Sequence, residues 1–344
     1  MSNKNILLGY TRSDLTNFLI AMILSFVAIP LVVQTDYWYS SILIPWLCLA
    51  LAAIGQQIVM GYAGQLALGA AGFMAAGAFA CFNLILRVPD IPFFVALGLS
   101  GLVAAAFGIL FGLPSLRVRG IYLMVATLAS QFFIVWMIDK FGWFKNYDTS
   151  GIITAQDIVI LGKPFTSPLE MYLVILVVVT VLTVLAVNMA RGSTGRNWMA
   201  VRDMDIAAEI IGVNPLKAKL TAFAVSGFFV GISGALFFAV YLGAVEVGEV
   251  FGINKSFLVL FMVIIGGLGS IFGSFAGAAF LVLLPVVLKV VGVDILGWPT
   301  DIVAHFQLVI VGALIIVFLI MEPHGLAQLW RVAKEKLRLW PFPH

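Results

Sequence analysis

Residues 169–190, LEMYLVILVVVTVLTVLAVNMA, carry one acidic side chain near their start and no basic one. About 20 apolar residues in a helix span a bilayer, and the backbone polar groups must pair within the segment. Similar stretches recur through the 344 residues, of which 62% are apolar and 10% charged. So few charges cannot cover the apolar surface of a water-soluble fold. The sequence predicts an all-α integral membrane protein, a polytopic bundle of about ten transmembrane helices in one domain, residues 1–344.

The ten predicted spans are separated by short polar segments. They are residues 16–34, 40–60, 64–86, 91–113, 121–138, 169–190, 220–243, 256–271, 272–291 and 303–321. The first lacks a small-residue cleavage site, so we interpret it as a retained helix rather than a signal peptide.

The distribution of Lys and Arg predicts the orientation of the chain. An even number of spans puts both termini on one side, and that side holds 13 of the 19 basic residues. Basic residues accumulate in cytoplasmic loops. Both termini are therefore predicted to be cytoplasmic.

Several classes of function are excluded by what the sequence lacks. The basic residues form short clusters rather than one long patch, so no nucleic-acid partner is expected. Cys48 and Cys81 lie inside apolar stretches, and His305, His324 and His344 lack metal-ligand spacing. We expect no disulfide framework, no metal, no cofactor and no catalytic residue.

The acidic residues and the missing phosphate loop bear on how transport could be energised. None of the 16 acidic residues lies in the middle of a predicted span, which argues against a proton or sodium relay. The pattern G-x-x-x-x-G-K-[ST] is absent, so the chain is not expected to bind ATP itself. Energy for uphill transport must come from another chain.

The outer loop, residues 139–168, is longer than a turn. It contains aromatic and polar side chains, namely Trp143, Tyr147, Asp148, Thr149 and Ser150. They could form a lid or a docking surface. An ordinary interfacial connection with its aromatic belt is the alternative interpretation.

The inner loop, residues 192–219, reads GSTGRNWMAVRDMDIAAEIIGVNPLKAK. Asp203 or Asp205 can cap a helix start, Gly212 suits a helix end, and Pro215 prevents continuation. The pattern predicts a short helix of two or three turns. Such a helix is marginal alone, so it packs either on its own chain and the membrane surface or on a soluble partner.

This region resembles a known family. Residues 195–238, GRNWMAVRDMDIAAEIIGVNPLKAKLTAFAVSGFFVGISGALFF, are similar to the coupling-loop region of branched-chain amino acid ABC transporter permeases of the LivM type. Four further blocks resemble the same family in the same order. They are residues 61–78, 116–128, 262–277 and 322–326. We call residues 192–219 the coupling loop from here on.

The resemblance implies a permease subunit of an ATP-driven importer, not an enzyme, in a bacterial-type inner membrane. Its substrate would be a branched-chain amino acid or a related small polar solute, since relatives also carry urea and short amides. The implied partners are two cytoplasmic ATPases, a second homologous permease, an extracytoplasmic binding protein and membrane lipid. The residues implied to couple ATPase movement to transport are Arg202, Asp203, Ala207, Ala208, Glu209 and Gly212. Ala208 and Gly212 would be small because a partner groove approaches closely.

This chain departs from the family pattern at three positions. Ala67 and Ala70 stand where relatives often carry a serine and a histidine, so polar contacts to substrate from those positions are missing. Ile206 occupies the acidic position of the EAA-x-x-x-G coupling pattern, which Ala207, Ala208 and Gly212 otherwise fit.

Glycine spacing predicts close helix packing and one broken helix. Three GxxxG pairs, starting at Gly108, Gly227 and Gly273, allow helix backbones to approach in lipid. The glycines of the third span permit a break, which membrane proteins tolerate where backbone lines a cavity. The predicted pathway residues are Gln65, Gly69, Gly72, Phe73 and Thr127.

Two other functions remain as alternatives. An ATPase-independent channel or secondary carrier would transport a small polar solute without partners. A membrane-embedded enzyme acting on lipid would need an acid, base or metal cluster, and the sequence offers none.

Overall fold

The computed structural model of the chain describes residues 22–32, 35–116, 120–148, 150–156, 158–160, 163–321 and 325–339. In these residues, eight helices are long and apolar enough to cross a membrane. A further apolar helix, Thr300–Met321, follows them. The fold is an α-helical polytopic membrane bundle.

The helices are numbered in chain order. They are α1 (24–32), α2 (Asp36–Tyr62), α3 (Ala70–Arg87), α4 (Phe93–Gly112), α5 (Ile121–Lys140), α6 (Pro168–Arg191), α7 (Ser193–Asp203), α8 (Asp205–Ile210), α9 (Pro215–Leu242), α10 (Val247–Gly266), α11 (Ile271–Ile295), α12 (Thr300–Met321) and α13 (Gly325–Leu339).

The predicted spans match these helices with shifted ends. The predicted boundary between residues 271 and 272 is wrong, because Gly266 ends α10 and Ile271 already begins α11. The predicted start at residue 256 is also too late, since α10 begins at Val247. Of the first predicted span, residues 16–21 and 33–34 lie outside the described residues, and the described part, residues 22–32, is helical and includes α1.

The third predicted span begins six residues too early. Residues 64–69 are not helical, and α3 starts at Ala70. Gly64 has φ +66°, a conformation that favours glycine, so the chain leaves the helical path there. The expected break therefore lies before α3 and not within it. We call residues 64–69 the broken segment.

Helices α3, α4 and α9 pack at the centre of the bundle through close backbone contacts. A Cβ added at Gly108 of α4 would lie 2.5 Å from the Phe223 carbonyl oxygen of α9. On α9, a Cβ at Gly234 would lie 2.0 Å from the Met74 carbonyl oxygen of α3. Helices in lipid gain from such close van der Waals packing, which only small residues allow. The glycine pairs predicted from spacing thus serve as packing contacts.

The connection between α10 and α11 is a four-residue turn, 267–270, that we call the glycine turn. Gly267 and Gly269 have φ +105° and +83°, and the Ser270 side chain accepts a hydrogen bond from the Gly273 amide to cap α11. A Cβ added at Gly266 would overlap the Gly273 carbonyl, and one added at Gly273 would overlap the Gly266 carbonyl. Helices α10 and α11 therefore form a tight antiparallel pair.

The outer face carries short strands, so the expectation of a purely helical chain is corrected there. The strands are β1 (Ile152–Thr154), β2 (Ile158–Ile160), β3 (Lys163–Phe165) and β4 (Ala244–Glu246). Strand β1 pairs antiparallel with β4, and β2 pairs with β3. The outer loop is thereby hydrogen-bonded to the connection between α9 and α10.

The α4–α9 contact predicts a position-specific effect of glycine substitution. Gly108→Val should destabilise the protein by about 1–3 kcal/mol, because its side chain would overlap a backbone carbonyl that cannot move away. Gly98→Val on the same helix is the matched control, since nothing lies within 4 Å of a Cβ there. Thermal unfolding of the purified protein in detergent measures both. Equal melting temperatures for the two variants would contradict the packing described here.

Candidate functional site

The coupling loop folds as two helices rather than the single short helix predicted. Helix α7 runs to Asp203 and α8 starts at Asp205, with Met204 between them in an extended conformation. Met204 is the N-cap residue of α8, and its side chain makes no capping hydrogen bond. The predicted capping by Asp203 or Asp205 is therefore wrong.

The end of α8 agrees with the prediction for Gly212. Gly212 has φ +88°, its amide donates to the Glu209 carbonyl, and the Val213 amide donates to the Ala208 carbonyl. This pair of bonds is a Schellman motif, which ends helices at a left-handed glycine. Asn214 then caps α9 by accepting from the Lys217 amide at 3.1 Å.

Large apolar side chains on the coupling loop are exposed although the loop is rich in charges. They are Met204 (68% exposed), Ile206 (70%), Ile210 (82%), Ile211 (74%) and Leu216 (49%). The charged residues around them keep this part of the chain out of the hydrocarbon core. Contiguous apolar surface in water marks an interaction site. We call these five residues the apolar coupling surface.

The predicted coupling residues lie on different sides of α8. Ala207 and Glu209 are exposed beside the apolar coupling surface, as is Gly212. Ala208 is only 2% exposed and packs inside its own chain. Its small side chain therefore fits an internal contact, and the predicted reason, close approach of a partner, does not apply to Ala208.

A groove of about 480 Å³ separates α8 from the start of α9. Asp205 and Glu209 line it on one side and Pro215, Leu216 and Lys219 on the other. Lys219 lies 3.9 Å from Asp205, so an ion pair joins the two walls. Two residues of the apolar coupling surface, Ile206 and Leu216, line this groove.

Arg202 points back into the protein. Its guanidinium donates to the Gly61 carbonyl oxygen at 2.8 Å and to the Asp203 carboxylate at 2.9 Å. Its side-chain stem lies against Gly64, where a Cβ would come within 2.5 Å of the Arg202 Cγ atom. Arg202 thus attaches α7 to the end of α2 and the start of the broken segment.

The glycine turn also packs against Gly61. A Cβ at Gly61 would lie 2.5 Å from the Gly269 amide nitrogen. The buried Gln57 side chain donates to the Gly267 carbonyl oxygen at 2.9 Å. Four elements therefore meet around Gly61: the coupling loop, α2, the broken segment and the glycine turn.

Gly69, Gly72 and Thr127 lie together where the broken segment and α3 cross α5. The Leu68 amide donates to the Thr127 hydroxyl at 2.9 Å, and a Cβ at Gly69 would lie 2.7 Å from the Thr127 carbonyl oxygen. A Cβ at Gly72 would lie 2.9 Å from the Cα atom of Gln131. The chain thus brings three predicted pathway residues into one tightly packed helix crossing.

The other two predicted pathway residues, Gln65 and Phe73, lie apart. Phe73 is 4% exposed and belongs to the apolar core. Gln65 is half-buried, donates to the Ala63 carbonyl, and lines a cavity of about 280 Å³ together with Arg202 and Asp203. Gln65 therefore faces the coupling loop and not the crossing at Thr127.

A buried polar chain next to this crossing has no signal in the sequence. The Ser256 hydroxyl accepts from the Ala71 amide at 2.8 Å and donates to the Gln131 side-chain oxygen at 2.6 Å. From sequence, Ser256 marks only the edge of a predicted span. Its hydroxyl satisfies an amide at the N-terminus of α3, where helices have unpaired donors. Ser256 and Gln131 thus hold α3, α5 and α10 together.

Nothing in the described residues suggests a metal centre, since no three His, Cys, Asp or Glu side chains converge there. At the outer loop, Asp148 accepts hydrogen bonds from the Ser150 amide and hydroxyl, and these hold the pKa of its carboxyl below the usual value. The polar outer loop is ordered by local bonds of this kind.

Comparison with known proteins assigns the fold to a transport family. The family described as the permease component of the branched-chain amino acid transport system matches residues 38–319. The chain is 31% identical over 300 residues to the high-affinity branched-chain amino acid transport system permease protein LivM of Salmonella typhimurium LT2, which covers 81% of this chain and 67% of that protein. This chain belongs to the branched-chain amino acid permease component family.

Two further relatives extend the comparison. LivM of Escherichia coli K12 is 30% identical over 307 residues, again with 81% of this chain and 67% of the relative covered. The autoinducer 2 import system permease protein LsrC of an Enterobacter strain is 27% identical over 227 residues, with 64% and 61% covered. No solved structure matches the chain.

The junction at Gly61 predicts a local effect of removing the arginine. Arg202→Ala should speed amide hydrogen exchange in residues 61–69 by about tenfold or more, because a hydrogen bond to a charged group contributes about 1.5–3 kcal/mol. Arg196→Ala is the control, since Arg196 is exposed and bonds only within the neighbouring turn. Mass-spectrometric exchange of the purified protein gives the rates. Unchanged protection of residues 61–69 would rule out Arg202 as their anchor.

The buried polar chain predicts a second effect. Ser256→Ala should lower the melting temperature more than Ser100→Ala, because it leaves the Ala71 amide and the Gln131 oxygen without a partner. Ser100 is also fully buried, but its hydroxyl bonds only to Leu97 in its own helix. Thermal unfolding in detergent separates the two variants. The assignment fails if Ser100→Ala is the more damaging change.

Proposed function

We propose that this chain is the transmembrane permease subunit of an ATP-driven ABC importer and forms the translocation pathway for branched-chain amino acids or a related small polar solute. The observation that carries the proposal is the apolar coupling surface, five exposed side chains on a charged loop. A monomer in water gains nothing from exposing them, whereas a docked partner buries them. Membership of the permease family supplies the kind of partner.

The proposed membrane arrangement has ten spans with both termini in the cytoplasm of a bacterial-type cell, in its inner membrane. The eight candidate spans, α12 and the helical part of the first predicted span support this count. The excess of Lys and Arg on the side of the coupling loop supports the orientation. The apolar coupling surface then faces the cytoplasm, where ATPases reside.

The proposed complex contains two cytoplasmic ATPases, a second homologous permease and an extracytoplasmic binding protein. Each ATPase would hold α8 in a groove against Ile206 and Ile210. Ala207, Glu209 and Gly212 are exposed next to these side chains and would border this contact. Arg202 would act through its hydrogen bond to the Gly61 carbonyl, and the exposed Asp203 carboxylate would hold the same guanidinium.

The proposed mechanism transmits ATPase movement through the junction at Gly61. A displacement of α7 moves Arg202, and Arg202 is bonded to the residue that precedes the broken segment. The broken segment continues into the crossing of Gly69 and Gly72 with α5. Separation of α3 from α5 at Thr127 would open this part of the bundle, whereas Gln65 would act beside Arg202 and Phe73 would stay in the apolar core. Transport would follow from a change in helix packing and not from chemistry.

The apolar coupling surface predicts the effect of a single charge. Ile210→Asp should abolish ATPase binding and uptake of labelled leucine while leaving membrane insertion and melting temperature unchanged, because the side chain is 82% exposed. Ile210→Leu, which keeps the apolar surface, should retain both activities. Gly212→Trp should also abolish both activities, but by changing the end of α8 itself, since φ +88° at this position disfavours any side chain. Uptake by cells and co-purification of the ATPases are the two measurements.

The test of the complex is purification of the tagged chain from its native membrane, with mass spectrometric identification of its partners. Recovery of two ATPases and a second permease, lost with Ile210→Asp, supports the importer. Recovery of the chain alone, active in ATP-free vesicles, would instead establish a channel or secondary carrier. Competition of leucine uptake by valine, urea and short amides then identifies the class of substrate.

A further inference from the structure

A cavity of about 330 Å³ lies between α3, α4 and α5, near the end of the bundle opposite the coupling loop. Ala76 and Ala80 of α3 form its floor, Val103 and Phe107 of α4 one wall, and Met137 of α5 the other. The cavity is present because the alanine side chains on α3 are too small to fill the space between the three helices. We call it the outer groove.

The outer groove opens toward the hydrocarbon. Val103 at its edge is 40% exposed, and Phe133 and Trp136 on the adjoining face of α5 are about half exposed. Toward the coupling loop, the rings of Phe111 and Phe133 meet with centroids 5.9 Å apart and close the space between α4 and α5. The groove is thus a slot with one closed end, open to lipid along its side.

The other end of the groove carries one cation, Arg87. Its guanidinium lies 3.8 Å from the Trp143 ring centre and donates to the Trp143 carbonyl oxygen. The remaining guanidinium donors bond to no other described residue. Tryptophan beside arginine at a helix end is typical of the level of the lipid head groups. Arg87 therefore stands where the apolar groove meets water.

The shape of this end is fixed by a second side chain. Asn83, one turn before Arg87, is 6% exposed, and its amide donates to the Phe79 carbonyl at 2.8 Å and the Phe144 carbonyl at 2.9 Å. Asn83 and Arg87 together attach the turn Gly142–Lys145 to α3. The groove and its cation are thereby held in place before any ligand arrives.

Size and chemistry identify the occupant. One turn of a helix, about 10–12 Å across with its side chains and about 5.4 Å long, takes up more space than the groove's volume of about 330 Å³. A single hydrocarbon chain is thin enough to fit. A guanidinium binds phosphate oxygens through paired hydrogen bonds. We propose that the outer groove binds one phospholipid of the outer leaflet, with an acyl chain against Ala76 and Ala80 and its phosphate on Arg87. The lipid would pack against the face of α3 that carries Ala76 and Ala80, and α3 is the helix that follows the broken segment.

The experiment is photo-crosslinking of the purified protein with a phospholipid that carries a diazirine on its acyl chain, followed by peptide mapping. Wild-type protein should be labelled on α3 and α4. Val103→Trp, which fills the groove mouth, should remove that label. Val181→Trp is the control, because Val181 is 61% exposed on another helix, α6. Equal labelling of α3 and α4 in Val103→Trp and wild type would overturn the proposal.

A second variant tests the phosphate contact without touching the packed helices. Arg87→Gln should weaken retention of phospholipid in native mass spectra by about threefold to tenfold, as expected for one charge-assisted contact at an exposed site. Unchanged retention would overturn the role of Arg87. A Val103→Cys variant that forms a disulfide with a cysteine on a second permease would show that a protein helix covers the groove, and this too would overturn the proposal.

Discussion

The hydrogen bond from Arg202 to the Gly61 carbonyl is the contact on which the rest of the bundle's end at the coupling loop depends. It joins a loop outside the membrane to the last turn of a buried helix. The glycine turn and the broken segment approach closely enough to share this junction only because Gly61 and Gly64 have no side chains, and Gly269 adopts φ +83°, a conformation that favours glycine. The coupling loop therefore contacts α2, the broken segment and the glycine turn directly at this point.

The two polar sites along α3 have different characters. Near its start, the Leu68 and Ala71 amides donate to the hydroxyls of Thr127 and Ser256, so side chains of other helices pair two backbone donors there. At its end, Asn83 and Arg87 fix the outer turn. The first arrangement ties α3 to α5 and α10, where pathway movement is proposed. The second holds the opposite end, where a lipid is proposed to bind. Helix α3 is therefore hydrogen-bonded to other elements at both ends, at its start by their side chains and at its end by its own.

The sequence predicted those features that follow from composition and spacing. Long apolar runs predicted the spans, and GxxxG spacing predicted the contact at Gly108. It did not predict contacts between distant residues: the Arg202–Gly61 bond joins positions 141 apart. The position of the break required the backbone conformation of Gly64, and the burial of Ala208 required the packing of α8 on its own chain. Ser256 gave no signal because an isolated serine near a span end has many possible roles.

The pairing of β1 with β4 has a mechanical consequence. Ile152 lies opposite Glu246, so two connections far apart in the chain are fastened together on the outer face. A rigid helix that is held at one end and displaced at the other rotates about the held end, and its displacement grows with distance from that end. For α5 and α9, which run from this strand pair toward the coupling loop, a small rotation about the strand pair would displace most the ends next to the coupling loop. The strand pair is then the fixed end about which both helices would rotate.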